Sequence, residues 1–220
     1  MKRIHALVAL TFLVSPALCP AHECHPRQAG KPHLNGGGFV SDTAEVASTV
    51  LVTQDAIVCG HAKVSGSARI LEQAIVSGRA IVEGNAEIKN FAIVTDDARV
   101  SDSALVFDNA EVEGHAVVSG KSMVYNQAQL KDEASVSGNA ALRGQSLITD
   151  HAVVSGSAIV DGFIWIGGKA QVYGNAKILI RAEVLDNAVI RGTAEICNAE
   201  ISGNSVFETK PAGVSCEYRN

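Results

Sequence analysis

The sequence predicts an all-β chain wound as a parallel solenoid, and three regularities of spacing predict it. An aliphatic residue stands at every sixth position from Val40 to Ile196, through Val46, Val52, Val58, Val64 and Ile70 and onward without insertion. Two residues before it stands alanine in most hexads, as at Ala56, Ala62, Ala68, Ala74 and Ala80, with Val50, Ser122, Ser146 and Ile164 among the departures. Two residues after it stands Gly, Asn or Asp with few exceptions, as at Gly60, Gly66, Gly78, Asn90, Asp96 and Asp102.

Each regularity has a physical reading. Residues two apart on a strand point to the same side, so an Ala-x-Val triplet sends a small and a branched side chain inward and the middle residue outward. Gly, Asn and Asp tolerate the positive φ that a tight corner needs. A strand of three residues followed at once by a corner leaves no length for hairpins or crossover helices. The chain must wind, laying each strand on the one a full coil earlier at about 4.8 Å. Unbroken self-similarity is the sequence signature of such architectures.

On these residues the chain resembles the hexapeptide-repeat superfamily, the left-handed parallel β-helices to which trimeric acyltransferases belong. The resemblance covers residues 39–196. It implies a single-stranded left-handed helix of roughly nine triangular coils, three hexads to a coil, and a homotrimer as the form many relatives take.

Four segments are expected in order. Residues 1–21 read as a secretory signal peptide: Lys2, Arg3 and His5 make a basic start, Ala6 to Val14 is apolar, and Cys19-Pro20-Ala21 offers small residues before His22. The apolar stretch is too short to span a bilayer, and Leu18 before Cys19 speaks against lipidation there. Residues 22–39 are the lead or N-terminal cap, 40–204 the repeat, and 205–220 a tail folding over the last coil, because open solenoid ends expose unpaired backbone. The repeat falters at its ends. Asn35-Gly36-Gly37-Gly38 precedes the first full hexad, and Ile196 to Ile201 spans five residues instead of six, a slip expected to break the register.

The mature chain is expected to be secreted or periplasmic, with no transmembrane segment. Without the leader it carries 16 basic against 23 acidic residues, which argues against nucleic acid as a partner. Export makes the four remaining cysteines candidates for disulfides. Cys24 and Cys59 lie near one end of the repeat, Cys197 and Cys216 near the other, and pairing within each end is the expected arrangement.

Residues eighteen apart should stack, so three outward faces can be written down. The first carries Ser65, Ser101, Ser119, Ser137 and Ser155, a neutral solvated face. The second has Leu105, Phe107, Met123, Tyr125 and Ile159 in its middle coils; the third has Ile57, Ile75 and Ile93, then Leu147, Trp165 and Leu185. Contiguous exposed apolar residues mark an interface, here for self-association or for a cell-surface protein or glycan held through Phe107, Tyr125 and Trp165.

His61, His115 and His151 occupy one corner position in coils spaced about 14 Å and about 10 Å apart, too far for one zinc ion. They are the fallback catalytic residues if the chain is an acyltransferase-like enzyme. Against that reading, no loop leaves the coil to shape an acceptor pocket, and the usual acyl donors are cytoplasmic. The carbonic anhydrases of this fold use a second histidine five residues on, where this chain has Gly120 and Gly156. His22-Glu23-Cys24-His25 is a short tract with metal-ligand chemistry at the mature N-terminus, read here as a chance cluster. No cofactor is expected, and the expected role is a non-catalytic scaffold.

Overall fold

The computed structural model describes Cys24, residues 29–211 and Cys216. The expected signal peptide, His22 and His25, and the remainder of the tail lie outside the described residues.

Among the described residues the chain is all-β, a parallel β-solenoid of about nine turns. Most strands are two residues long, and each pairs in parallel with the strand eighteen residues on: Ile57 with Ile75, Ile75 with Ile93, Arg99 with Val117, and Leu105 with Met123. Such short strands persist because, away from the two ends, each is hydrogen-bonded from both sides. The N–H of an outward residue donates to the carbonyl of an inward residue in the next coil, as from Leu105 to Ser122 at 2.9 Å and from Phe107 to Val124 at 3.0 Å.

The corners use their Asp and Asn residues twice. Asp102 takes a φ of 60°, and its carboxylate then accepts the backbone N–H of Gly120 one coil on, at 2.9 Å. Asp150 does the same for Gly168 at 2.8 Å. The side chain that tolerates the left-handed corner thereby satisfies the amide that the strand ladder leaves over.

Inward positions form one continuous core. The repeated alanines and aliphatics from Val52 to Ile190 are at most 2% exposed. Each fully buried Val or Ile contributes about 1.5–3 kcal/mol relative to an exposed one. Ser122 and Ser146 sit in alanine positions and are buried too.

The expected break of register at residues 196–201 does not spread. The pairing passes from Leu179–Cys197 to Ala182–Ala199 across an irregularity, and Ile201 still points inward at 6% exposure. The missing residue is dropped at a corner, where side chains need not alternate. The ladder accordingly runs past the boundary expected at 204: Val206–Phe207 pairs with Val189–Ile190. In these last coils the strands Ile159–Ile166, Lys177–Val184 and Glu195–Ile201 pass round the corner between the second and third faces without a break. They join those two faces into one 17-stranded sheet, whereas the first face forms a separate sheet of ten strands among the described residues.

The N-terminal end is capped by the lead. Strand β1 (Gly30–Pro32) pairs antiparallel with β2 (Phe39–Ser41), the first strand of the third face. The first face then opens with β3 (Glu45–Val46) and the second with β4 (Leu51–Val52). The glycine run between β1 and β2 lies against β4. A Cβ on Gly38 would stand 2.3 Å from the Thr53 carbonyl oxygen, so only glycine permits this approach. Disulfides Cys24–Cys59 and Cys197–Cys216 staple the two ends as expected. No helix among the described residues is long and apolar enough to cross a membrane.

Candidate functional site

The outward column of the second face runs from Leu51 through Arg69 and Glu87 into the apolar stretch Leu105, Met123, Ala141 and Ile159, each in register with the next. Met123 is 37% exposed. Beside it runs a second column two residues further along each strand. Here Lys89 Nζ stands 5.3 Å from the centre of the Phe107 ring, and Phe107 stacks on Tyr125 with centroids 4.7 Å apart and planes 6° from parallel. Arg143 donates to the Tyr125 hydroxyl at 3.3 Å and pairs with Asp161 at 2.8 Å.

The column is thus a closed relay of cation, ring, ring, cation and carboxylate. The rings lie one above the other at the spacing of the coils, so their shared faces are covered and their edges meet solvent. A sugar stacks on an open ring face. The arrangement therefore favours Phe107 and Tyr125 as stiff flanks of the Leu105–Met123–Ile159 strip over a role as a stacking platform.

On the third face, Phe39, Ile57, Ile75 and Ile93 stack in register and are half-buried. Glu111 and Gln129 interrupt the apolar column before Leu147 and Trp165 resume it. The Gln129 amide donates to the Glu111 carboxylate at 3.2 Å. Burial pushes the Glu111 carboxyl above the usual carboxylate range, and the nearby Glu113 charge adds to this. Glu113 itself pairs with Lys131 at 2.7 Å. Trp165 is 39% exposed, and its indole N–H donates to Thr149 Oγ1 at 3.2 Å.

The histidine edge is a solvated corner ladder. Arg79 binds both carboxylate oxygens of Asp97, at 2.7 and 2.6 Å, and this holds the Asp97 carboxyl below its ordinary value. His115 Nδ1 lies 4.0 Å from the same carboxylate, and His151 Nδ1 lies 3.0 Å from Glu133. His61, His115 and His151 are all exposed and are not brought together. No group of three metal-ligating side chains occurs among the described residues.

Two exposed aromatics escaped the sequence reading. Phe91 (55% exposed) and Phe163 (61% exposed) occupy the tip of a corner, the position held elsewhere by His61, Arg79, Asp97 or Lys121. The signal was available: two phenylalanines in a column of otherwise polar tips. Phe163 lies on the same continuous strand as Ile159 and Trp165, so the second-face strip turns the corner onto the third face through Asp161 and Phe163. No protein-family model matches this chain, and no curated protein matches it.

Proposed function

We propose that this chain is an exported, non-catalytic member of the hexapeptide-repeat, left-handed β-helix class. It acts as an interaction scaffold that associates with itself through the second face, and a homotrimer is the expected assembly. The observation that carries this reading is the apolar strip Leu105–Met123–Ala141–Ile159, stiffened on one side by the Phe107–Tyr125 stack and continued by Phe163 and Trp165. A cell-surface protein or glycan is the other occupant suited to the Phe163 and Trp165 end, whose rings stand open to solvent.

Light scattering on the purified chain tests the reading. The expected result is a mass that is a multiple of the 22.9 kDa chain or its processed form, falling to a single copy in Met123→Asp/Ile159→Asp with the thermal transition retained. A monomeric wild-type chain that retains no glycan or cell-surface partner on an array would overturn it.

One observation favours a second reading. The His151–Glu133 pair is the geometry by which a carboxylate orients an imidazole for general-base work, as an acyltransferase-like enzyme with an edge histidine at a subunit seam would require. Changing His61, His115 and His151 together to Ala decides: a folded variant that loses an acyl-transfer activity of the wild type replaces the scaffold reading.

A further inference from the structure

The two sheets end differently at the N-terminus. For the third face, the lead supplies a preceding strand, β1. For the second face, residues 35–38 take that place: Val52 N–H donates to the Asn35 carbonyl at 3.0 Å, and Gly38 N–H donates to the Val52 carbonyl at 2.9 Å. For the first face no such piece lies among the described residues. Strand β3 is the last of its sheet and pairs only with Lys63–Val64 among the described residues.

Among the described residues the cap is thus a coil with two of its three strands, and the place of the third opens into a recess of about 940 Å³ that also runs over Lys63, Ser65, Ile81 and Glu83. Pro32, His33 and Leu34 of the lead line one side, and Val40, Ala44 and Val46 line the floor. Val46 is only half-buried, whereas its equivalents from Val64 to Ile190 on the same face are at most 1% exposed.

The backbone polarity of the floor follows from the repeat. Inward residues direct their polar groups toward the preceding coil: the Ala62 and Val64 carbonyls accept from Glu45 and Ala47 N–H, both at 2.9 Å. The matching groups of β3 are the Ala44 carbonyl and the Val46 carbonyl and N–H, and these face the recess. A whole coil of a second molecule does not fit there, because β1 and residues 35–38 already fill the places its other two strands need. One separate strand fits.

We infer that the open edge of β3 is a docking slot for a single extended peptide strand, added in parallel, with a small and a β-branched residue turned inward and a basic residue turned outward. The chemistry of the occupant comes from the floor. Ala44 and Val46 call for the same small-plus-branched pair that packs on every other coil. Outward, Glu45 is 71% exposed at its side chain and is already matched on its far side by Lys63 at 3.1 Å. Ala62-Lys63-Val64 therefore displays, on the opposite edge of β3, the side chains the occupant needs. This mode is β-augmentation, in which main-chain bonds supply affinity and alternate side chains supply specificity. It is independent of the apolar strip on the second face.

The test uses the full disulfide-bonded chain and a fluorescent peptide of residues 60–67, GHAKVSGS, read by anisotropy. In the parallel register the peptide's Lys63 and Ser65 amides donate to the Ala44 and Val46 carbonyls, whereas its Val64 amide points away. Saturable binding is expected, weakened about tenfold or more by N-methylation at Lys63, in line with the loss of one buried hydrogen bond, and changed by less than about twofold by N-methylation at Val64. A peptide carrying Lys63→Glu should bind the wild type more weakly and should be preferred by the Glu45→Lys chain. Absence of saturable binding, equal loss from both methylations, or a preference indifferent to Glu45→Lys overturns the inference. So does concentration-dependent self-association through this end that the peptide does not compete away.

Discussion

Ser146 shows how strictly the solenoid interior treats a single atom. It occupies an alanine position, is 1% exposed, and its hydroxyl finds no hydrogen-bond partner. Ser122, in the equivalent position of another coil, donates to the Ser119 carbonyl at 2.7 Å. Ser146→Ala should therefore stabilise the chain by about 1 kcal/mol, the cost of a buried unsatisfied hydroxyl, while Ser122→Ala changes stability little. Denaturant midpoints of the two variants check this, and equal effects would refute it. Glu111 makes the complementary case for charge. Its raised pKa means the folded chain holds the proton more tightly than the unfolded chain. Stability from the protonated form is present below the ordinary carboxylate range and is lost as pH rises through the folded value. Glu111→Gln should raise stability at about pH 7 by on the order of 0.5 kcal/mol, and this advantage should vanish below about pH 4. Paired thermal melts at the two pH values decide; an advantage that persists at low pH removes the explanation.

At the scale of the element, a strand of two residues is stable only as a rung. The coil that stacks on it supplies its hydrogen bonds, and the corner that follows it supplies the turn. The ends lack one neighbour, and the disulfides stand where that lack is felt. Cys24–Cys59 closes 35 residues and ties the lead to the second coil. Replacing both cysteines with Ser should cost on the order of 3 kcal/mol and should loosen β1 and residues 35–38 first. Loss of amide protection over residues 30–38 before any change in the central coils is the expected signature. The corner between the second and third faces was partly legible: Gly162 keeps the pattern, but Ile164 breaks the alanine column and Ile180 takes a φ of 70° where the other left-handed corners carry Gly, Asn, Asp or, at Glu72, glutamate. Those departures marked the place where the strand runs round the corner, though not the strip of Ile159, Phe163 and Trp165 that this bend makes continuous.

The whole molecule behaves as a one-dimensional stack in which each coil contacts its neighbours alone. Opening should begin at the ends and proceed inward. Hydrogen exchange should be slowest near residues 100–160 and fastest at β3 and at Val206–Phe207, the two end strands of the first-face sheet. Uniform protection along the rod would mean that the coils unfold as one unit. On the same scale, surface stripes belong to the stack and not to any hexad, and for that reason the proposed interface and the β3 slot are properties of the assembled rod.

What the sequence determined by itself was everything the period carries: the winding, the inward Ala and Val, the outward middle residue and the left-handed corners. A repeat of six dictates these because each hexad meets the same neighbours. The tertiary structure alone decided what breaks the period. It showed that Phe107 and Tyr125 cover each other's faces between Lys89 and Arg143, that the five-residue step at 196–201 is absorbed at a corner, and that among the described residues the lead replaces two strands of a coil while the third place stays open at β3. Side-chain stacking across eighteen residues and the path of a non-repeating cap depend on contacts between coils, and no local spacing encodes them.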